Sequence, residues 1–436
     1  MATESRNRVI YQSEALFVSP TATGGHYTGA ARKTQKSASD GPGYAEGSAL
    51  RQLKRVQSAN YSFTVNRQDV NQFDKLARID SLVVDTPTVN MDFSYYITDG
   101  ENERLLGFVI DGQTNTMSGH MSPDSAGQNF FILTVPEGQD AVGGDTASAA
   151  SEKSVISMGN GYITDYSVEA AVGGFPTASV SVEGFNIKSN TGYNQLDIPA
   201  IDPTDGSRIC DSYFTVPASQ TGQGASALRP GDITIDLQNA GLLARQVSGV
   251  SAKDQPPGAA HIQSVSINVP MSRTVLQRLG NTFGFSRELD VPITATFTVN
   301  ALVADLKTDA NGTNMLDLLC GNQKNDLRVI LRDPSCIDCD KINQVTGMYY
   351  DFKGALLESE SYSSSIGDNK TVDLTFTCQI GGPTDTQDGV FISGSNSSPN
   401  GDTTVNRGRP PFEEPDGTLR WFGPLDDGYP NRADAS

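Results

Sequence analysis

The stretch from Val56 to Val65 alternates apolar and polar positions, with Ala59, Tyr61, Phe63 and Val65 on one side. A period of two marks a strand with one buried face. The alternation returns from Ile262 to Val269, where Val265, Ile267 and Val269 share a face. A different period follows each strand. Val70, Phe73 and Leu76 fall at i, i+3 and i+6, and Val275, Leu276 and Leu279 make a comparable stripe, which predicts a short amphipathic helix in both places. Each then leads through an acidic residue and a proline, Asp85-Thr-Pro87 and Asp290-Val-Pro292, into a long alternating strand. The first such strand turns Val89, Met91, Phe93, Tyr95 and Ile97 inward, opposite Thr88, Asn90, Asp92, Ser94 and Thr98. The second turns Ile293, Ala295, Phe297, Val299 and Ala301 inward, opposite Thr294, Thr296, Thr298 and Asn300. The two patterns agree only after a one-residue shift near the prolines. Such a slip exchanges the faces of a strand, so a duplication requires an indel there.

The parallel continues. Asn129–Val135 matches Asp326–Arg332, and the aromatic stretch from Gly161 matches the one from Gly347. The closing strands Ala178–Phe185 and Thr371–Cys378 also match. At the front, Ile10–Pro20 resembles Ile209–Pro217, each an alternating segment that runs into a loop of small residues. Matched pairs lie about 205 residues apart early in the repeat and about 190 late. Six elements in one order predict a duplicated, mainly β chain, with a first domain over residues 1–200 and a second over 201–382. Residues 20–50, 111–128 and 136–152 read as long polar loops, which in compact domains are usually functional or ordered by a neighbour. Residues 383–436, rich in Gly, Pro, Asn, Ser and Asp, read as a flexible or extended arm with Trp421 and Phe422 as its anchor.

Composition agrees with strands and turns. Of 436 residues 37% are apolar and 19% charged, enough for ordinary cores, while Gly, Ser, Thr, Asn, Asp and Pro fill the intervals. The formal net charge of −19 repels phosphates, which argues against specific nucleic-acid binding and also suits an abundant soluble protein. The opening residues are polar and lead into no long apolar run, so neither a signal peptide nor a membrane span is expected. Five cysteines, unevenly spaced, fit a reducing cytoplasm better than a disulfide-stapled scaffold.

Chemistry is sparse. His26, His120 and His261 stand in no catalytic or metal-ligand spacing, and no nucleophile elbow, phosphate loop or dinucleotide fingerprint occurs. The expectation is a protein that is not an enzyme and carries no cofactor. Cys336 and Cys339 have a metal-like spacing, and with Cys320 and Cys378 four thiolates are available for zinc. A local disulfide and plain free thiols are the other two readings. Tyr61, Phe63, Phe93 and Tyr95, on apolar strand faces, are expected in the core.

The order of strand, short helix, acidic-x-Pro and long alternating strands resembles the tail tube proteins of long-tailed bacteriophages. The stretches Asn7–Val18 and Ser58–Val65 likewise resemble phage virion proteins, and the likeness covers residues 7–382 in two copies. It implies a β-sandwich or barrel flanked by a helix in each copy. It further implies rings of six domains that stack into a tube through which DNA leaves the head. With two domains per chain, three chains would close a pseudo-sixfold ring. The implied partners are further copies of the chain, a tail terminator, baseplate or tail-tip proteins, a sheath where one exists, and passing DNA that is not specifically bound. No membrane is involved, and the implied location is the virion tail, assembled in the host cytoplasm. The resemblance makes Asp92, Asn90, Thr294 and Thr296 candidates for the lumen; the other reading leaves those faces open to solvent or under a neighbouring domain. A baseplate hub or tube initiator of the same fold, and a β-rich receptor-binding surface protein, are the alternative functions.

Overall fold

A computed structural model describes residues 14–19, 50–98, 100–110, 112, 114–121, 127–136, 141, 153–192, 196–201, 206, 213–214, 216, 233–237, 261–284, 286–302, 324–332, 346–364, 370–382, 384–394, 412–413 and 419–420. The protein is mainly β. Its first unit runs through β1 (Glu14–Val18), β2 (Arg51–Gln52), β3 (Val56–Thr64), β4 (Arg67–Val70), β5 (Asp80–Val83) and β6 (Thr88–Tyr96). Helices α1 (Glu101–Leu105) and α2 (Ser118–Met121) follow, then β7 (Gln128–Thr134), β8 (Ser154–Ala171), β9 (Thr177–Gly184) and β10 (Asn186–Thr191). A two-strand ribbon, β11 (Leu196–Asp197) with β12 (Tyr213–Phe214), precedes the second unit. That unit comprises β13 (Ile233–Leu237), β14 (His261–Pro270), β15 (Arg273–Leu276), β16 (Ser286–Leu289), β17 (Thr294–Leu302), β18 (Asn325–Arg332), β19 (Thr346–Ser363), β20 (Thr371–Gln379) and β21 (Gly389–Gly394).

The two units repeat one topology. Strands β1-β7-β8-β9-β6-β3 lie side by side in the first, and β13-β18-β19-β20-β17-β14 in the second. In both, an 18-residue strand, β8 or β19, belongs to two sheets. Its first half pairs with β7 and β10, or with β18 and β21; its second half pairs with β9, or with β20. Register shifts at Ile163/Asp165 and Leu357/Ser359 mark the same point on each long strand. A bulge there increases the bend and twist that let one strand serve both sheets. The sheets then face each other across the core: Phe93 meets Phe130 at 5.9 Å in the first unit, and Phe297 stacks on Phe352 at 4.8 Å in the second.

Strand β14 pairs with the second half of β8, so the units share one continuous sheet in the order β3-β6-β9-β8-β14-β17-β20-β19. One hydrophobic core runs through both, from Leu16 and Val89 to Phe376 and Ile392. A smaller cluster of Phe17, Leu50, Phe131, Leu133, Val155 and Leu196 lies on the other face of β1 and β7. The one-residue shift at the prolines is real. Phe93 faces Val180 on the neighbouring strand just as Val299 faces Leu374, which gives the second unit one extra residue after its proline.

Several sequence expectations need correction. The stripes at Val70, Phe73, Leu76 and Val275, Leu276, Leu279 are β-hairpins, β4–β5 and β15–β16, rather than helices. Left-handed residues, Asp74 at φ 83° and Gly280 at φ 87°, sit in the two reversals, and Phe73, Leu76 and Leu279 point into solvent. A stripe with no face to bury gains nothing from helical spacing. Tyr61 and Phe63 are exposed, whereas Phe93 and Tyr95 are buried as expected; Thr98 is buried too. The place of β1 is taken in the second unit by Ile233–Leu237, not by the stretch from Ile209. Gly161 corresponds to Ala355, not Gly347, because Gln128 faces Gly161 and Asn325 faces Ala355. Residues 389–394 form β21 inside the second unit, so the arm cannot begin at 383. Within 111–128, α2 folds, and Gly112 and Thr116 donate their amides to the Ile392 and Val390 carbonyls of the second unit. Residues 20–49, most of 136–152, and Trp421 and Phe422 lie outside the described residues.

Candidate assembly site

The shared sheet has one apolar and one polar face because each strand alternates. Across the strands, Asn60 faces Asp92, Asp92 faces Ser181, and Ser181 faces Asp165. In the second unit Ser266 faces Thr298, Thr298 faces Thr375, and Thr375 faces Ser359. The expected lumen candidates belong to this one face: Asp92 and Thr294 are exposed, Asn90 and Thr296 half-buried. Ser181 donates a 2.7 Å hydrogen bond to Asp92 Oδ1, and Asn300 Nδ2 donates to Asp373 Oδ1 at 2.5 Å. Glu183, Asp165, Glu169 and Asp373 join Asp92 there, and these strand positions hold no lysine or arginine. Burial raises the Asp165 carboxyl from its ordinary value. Hydroxyls, amides and carboxylates in rows make a polar, acidic face, of whose carboxylates Glu183 is paired with Arg287.

The sheet ends are a second feature. Strand β3 pairs only with β6, and the second half of β19 only with β20, among the described strands. Tyr61 and Phe63 on one end and Tyr362 on the other are exposed. Open edges carrying apolar side chains are ready templates for another strand.

The hairpins differ in their surroundings. β15–β16 is seated on the first unit: Arg287 pairs with Glu183 and lies 4.7 Å over the Phe185 ring. Arg273 lies 5.2 Å over Tyr162 and donates from Nε to the Ile163 carbonyl at 3.3 Å. Gln277 donates to Asp85 Oδ1 at 2.7 Å and Thr86 Oγ1 at 2.9 Å, and that bond holds the Asp85 carboxyl below its ordinary value. β4–β5 has no such seat among the described residues, and Val70, Phe73, Leu76, Ile79, Leu82 and Val83 are all exposed on it.

Of the metal candidate's four cysteines only Cys378 falls among the described residues. Cys378 is a buried free thiol that donates to the Lys353 carbonyl at 3.1 Å, and burial pushes it up to about 11. Cys320, Cys336 and Cys339 lie outside the described residues, and no metal-holding cluster occurs among those described. Sequence reasoning missed the edges and the unseated hairpin, although the polar pairs Asn71-Gln72 and Asp74-Lys75 on either side of Phe73 were the available signal for a turn. Among the described residues no helix is long and apolar enough to cross a membrane.

These features define a mainly β protein of two repeated units whose common sheet ends, among the described strands, in two unpaired edges. No family model matches the chain, and no curated protein does. Among solved structures it is similar to a chain of the "Virion of native gene transfer agent (GTA) particle", at 15% identity and a TM-score of 0.20, over 35% of this chain and 93% of that one.

Proposed function

We propose that this chain is a structural protein of a phage virion, a tail tube subunit that forms rings around a DNA-conducting channel and catalyses nothing. The observation that carries the reading is the continuous eight-strand sheet, built from two equivalent units and with no further strand on either end among the described residues. Such a chain adds to itself head to tail, and head-to-tail contacts close into rings or run on as filaments. The sequence resemblance supplies the ring of six domains, hence three chains. The anionic face around Asp92 and Asp165 suits a lumen, since carboxylates repel the phosphates of passing DNA. In this reading the protein assembles in the host cytoplasm and meets a tail terminator and tail-tip proteins at the tube ends.

Negative-stain electron microscopy of the purified protein, with its mass in solution, tests this. Stacked rings or hollow tubes are the expected outcome. Single rings that never stack would point instead to a hub or tube initiator. A monomer at all concentrations would overturn both and favour a receptor-binding surface protein.

A further inference from the structure

Inside the chain, β14 of the second unit docks on β8 of the first with Val265 opposite Ala170, Ile267 opposite Val168 and Val269 opposite Tyr166. The repeat supplies the counterpart of every one of these positions. Tyr61 faces Met91, which faces Val182; Ile267 faces Phe297, which faces Phe376. Val168 faces Ala178 as Tyr362 faces Val372. Tyr61 therefore stands where Ile267 stands, and Tyr362 where Val168 stands.

The burial contrast is large. Ile267, Val269 and Val168 are 1%, 2% and 4% exposed at the internal junction, while their counterparts Tyr61, Phe63 and Tyr362 are 44%, 60% and 49% exposed. A position that is buried in one repeat and open and aromatic in the other marks a junction with no partner among the described residues.

We infer that the partner is a second copy of this chain, and that the internal β8–β14 junction is the template for the contact between copies. The inference rests on the ring-forming reading above and adds the register. Strand β3 of one copy pairs antiparallel with the second half of β19 of the next, with Ala59 opposite Ser364, Tyr61 opposite Tyr362 and Phe63 opposite Glu360. Tyr61 and Tyr362 then form a cross-strand aromatic pair on the core side of the sheet. Ser58, Asn60, Ser62 and Thr64 continue the polar face without a break. The hairpins give the same answer independently. β15–β16 sits on the first unit beside the β8–β14 junction, so β4–β5 sits on the next copy's second unit beside the β19–β3 junction. Arg67 occupies in β4 the place of Arg273 in β15, since they face Val83 and Leu289 at equivalent ends of the two hairpins. The counterpart of the Arg273 acceptor Ile163 is Leu357, because Ile163 faces Val182 and Leu357 faces Phe376. Arg67 thus reaches toward the Leu357 carbonyl of the neighbour, and the apolar side chains of β4–β5 are covered in the process.

Cysteine cross-linking of the full chain tests the register. Tyr61→Cys with Tyr362→Cys is oxidised under assembly conditions, and the bridge is located by peptide mapping, which separates it from native thiols. Ile267→Cys with Val168→Cys marks the template junction, and Asn60→Cys with Tyr362→Cys places the thiols on opposite faces. The expected result is covalent dimers and larger species through a 61–362 bridge, an internal 168–267 bridge, and at least tenfold less product from the 60–362 pair. Amide exchange of residues 58–64 and 359–364 should slow on assembly. Rings or tubes visible by microscopy but with no 61–362 bridge and unprotected edges would overturn the register and leave the ring reading standing. Absence of any assembly would overturn both.

Discussion

The hydroxyls of Tyr166 and Tyr350 lie 2.9 Å apart, one from each repeat, at the centre of the protein. Tyr166 also donates to Glu103 Oε1 at 3.2 Å, and Tyr95 donates to the same oxygen at 2.9 Å. A buried carboxylate on α1 thus holds Tyr95 and Tyr166 directly and Tyr350 through the Tyr166 hydroxyl, and buried networks of this kind fix one arrangement of the elements that meet there.

Removing either junction hydroxyl should weaken the fold. Tyr166→Phe and Tyr350→Phe are each expected to cost about 1 kcal/mol, and the double variant less than the sum, because they share one bond. Urea unfolding of the three variants measures this. Burial, first, and neighbouring charge or hydroxyls raise all three phenols well above their ordinary value. They remain neutral in the folded protein and ionise freely only when unfolded, so their stability contribution holds below about pH 10 and is lost as pH rises past it. Absorbance at 295 nm should show these tyrosines ionising together with unfolding, not before it.

His120 should govern part of the acid response. It is buried against Phe108 at 4.8 Å, and burial, aided by the Arg273 charge, lowers it to about 3. The unfolded chain takes up a proton near pH 6.5 that the folded chain refuses until about 3, so stability falls as pH drops through that window. The slope is about 1.4 kcal/mol per pH unit from this residue alone. Urea midpoints at pH 7 and pH 5 should therefore fall less for His120→Leu than for the parent, by about 2 kcal/mol in free energy.

The two hairpins should respond oppositely to mutation. Phe73→Ser and Leu76→Ser touch fully exposed side chains and should change monomer stability by less than about 0.5 kcal/mol while lowering assembly. Arg287→Ala strips the buried guanidinium from Glu183 and Phe185 and should cost about 2 kcal/mol. Thermal melts of dilute protein, alongside sedimentation at high concentration, separate the two effects.

Much of the fold was legible where a strand has one wet and one dry face. Val89, Met91, Phe93 and Tyr95, and their counterparts from Ile293 to Ala301, are buried as their alternation requires. Residue likeness failed where pairing decides. The Gly161 and Gly347 stretches look alike as letters, yet cross-strand partners place Gly161 with Ala355. Spacing also misled at Val70, Phe73 and Leu76. Three apolar residues on a helical stripe are compatible with a hairpin whose tip is open, and only the pairing of Val70 with Asp80 separates the two.

The sequence by itself determined the strand faces, the order of the elements and the presence of two copies, because alternation is a local consequence of which side of each strand is dry. The tertiary structure decided which copies touch and how. Tyr61 and Ile267 sit in equivalent strands with equivalent patterns, and nothing local tells them apart. Ile267 is buried because β8 of the same chain is close enough to pair with β14, whereas no described strand lies on the edge beside Tyr61, and edge pairing is a property of three-dimensional proximity rather than of any segment alone.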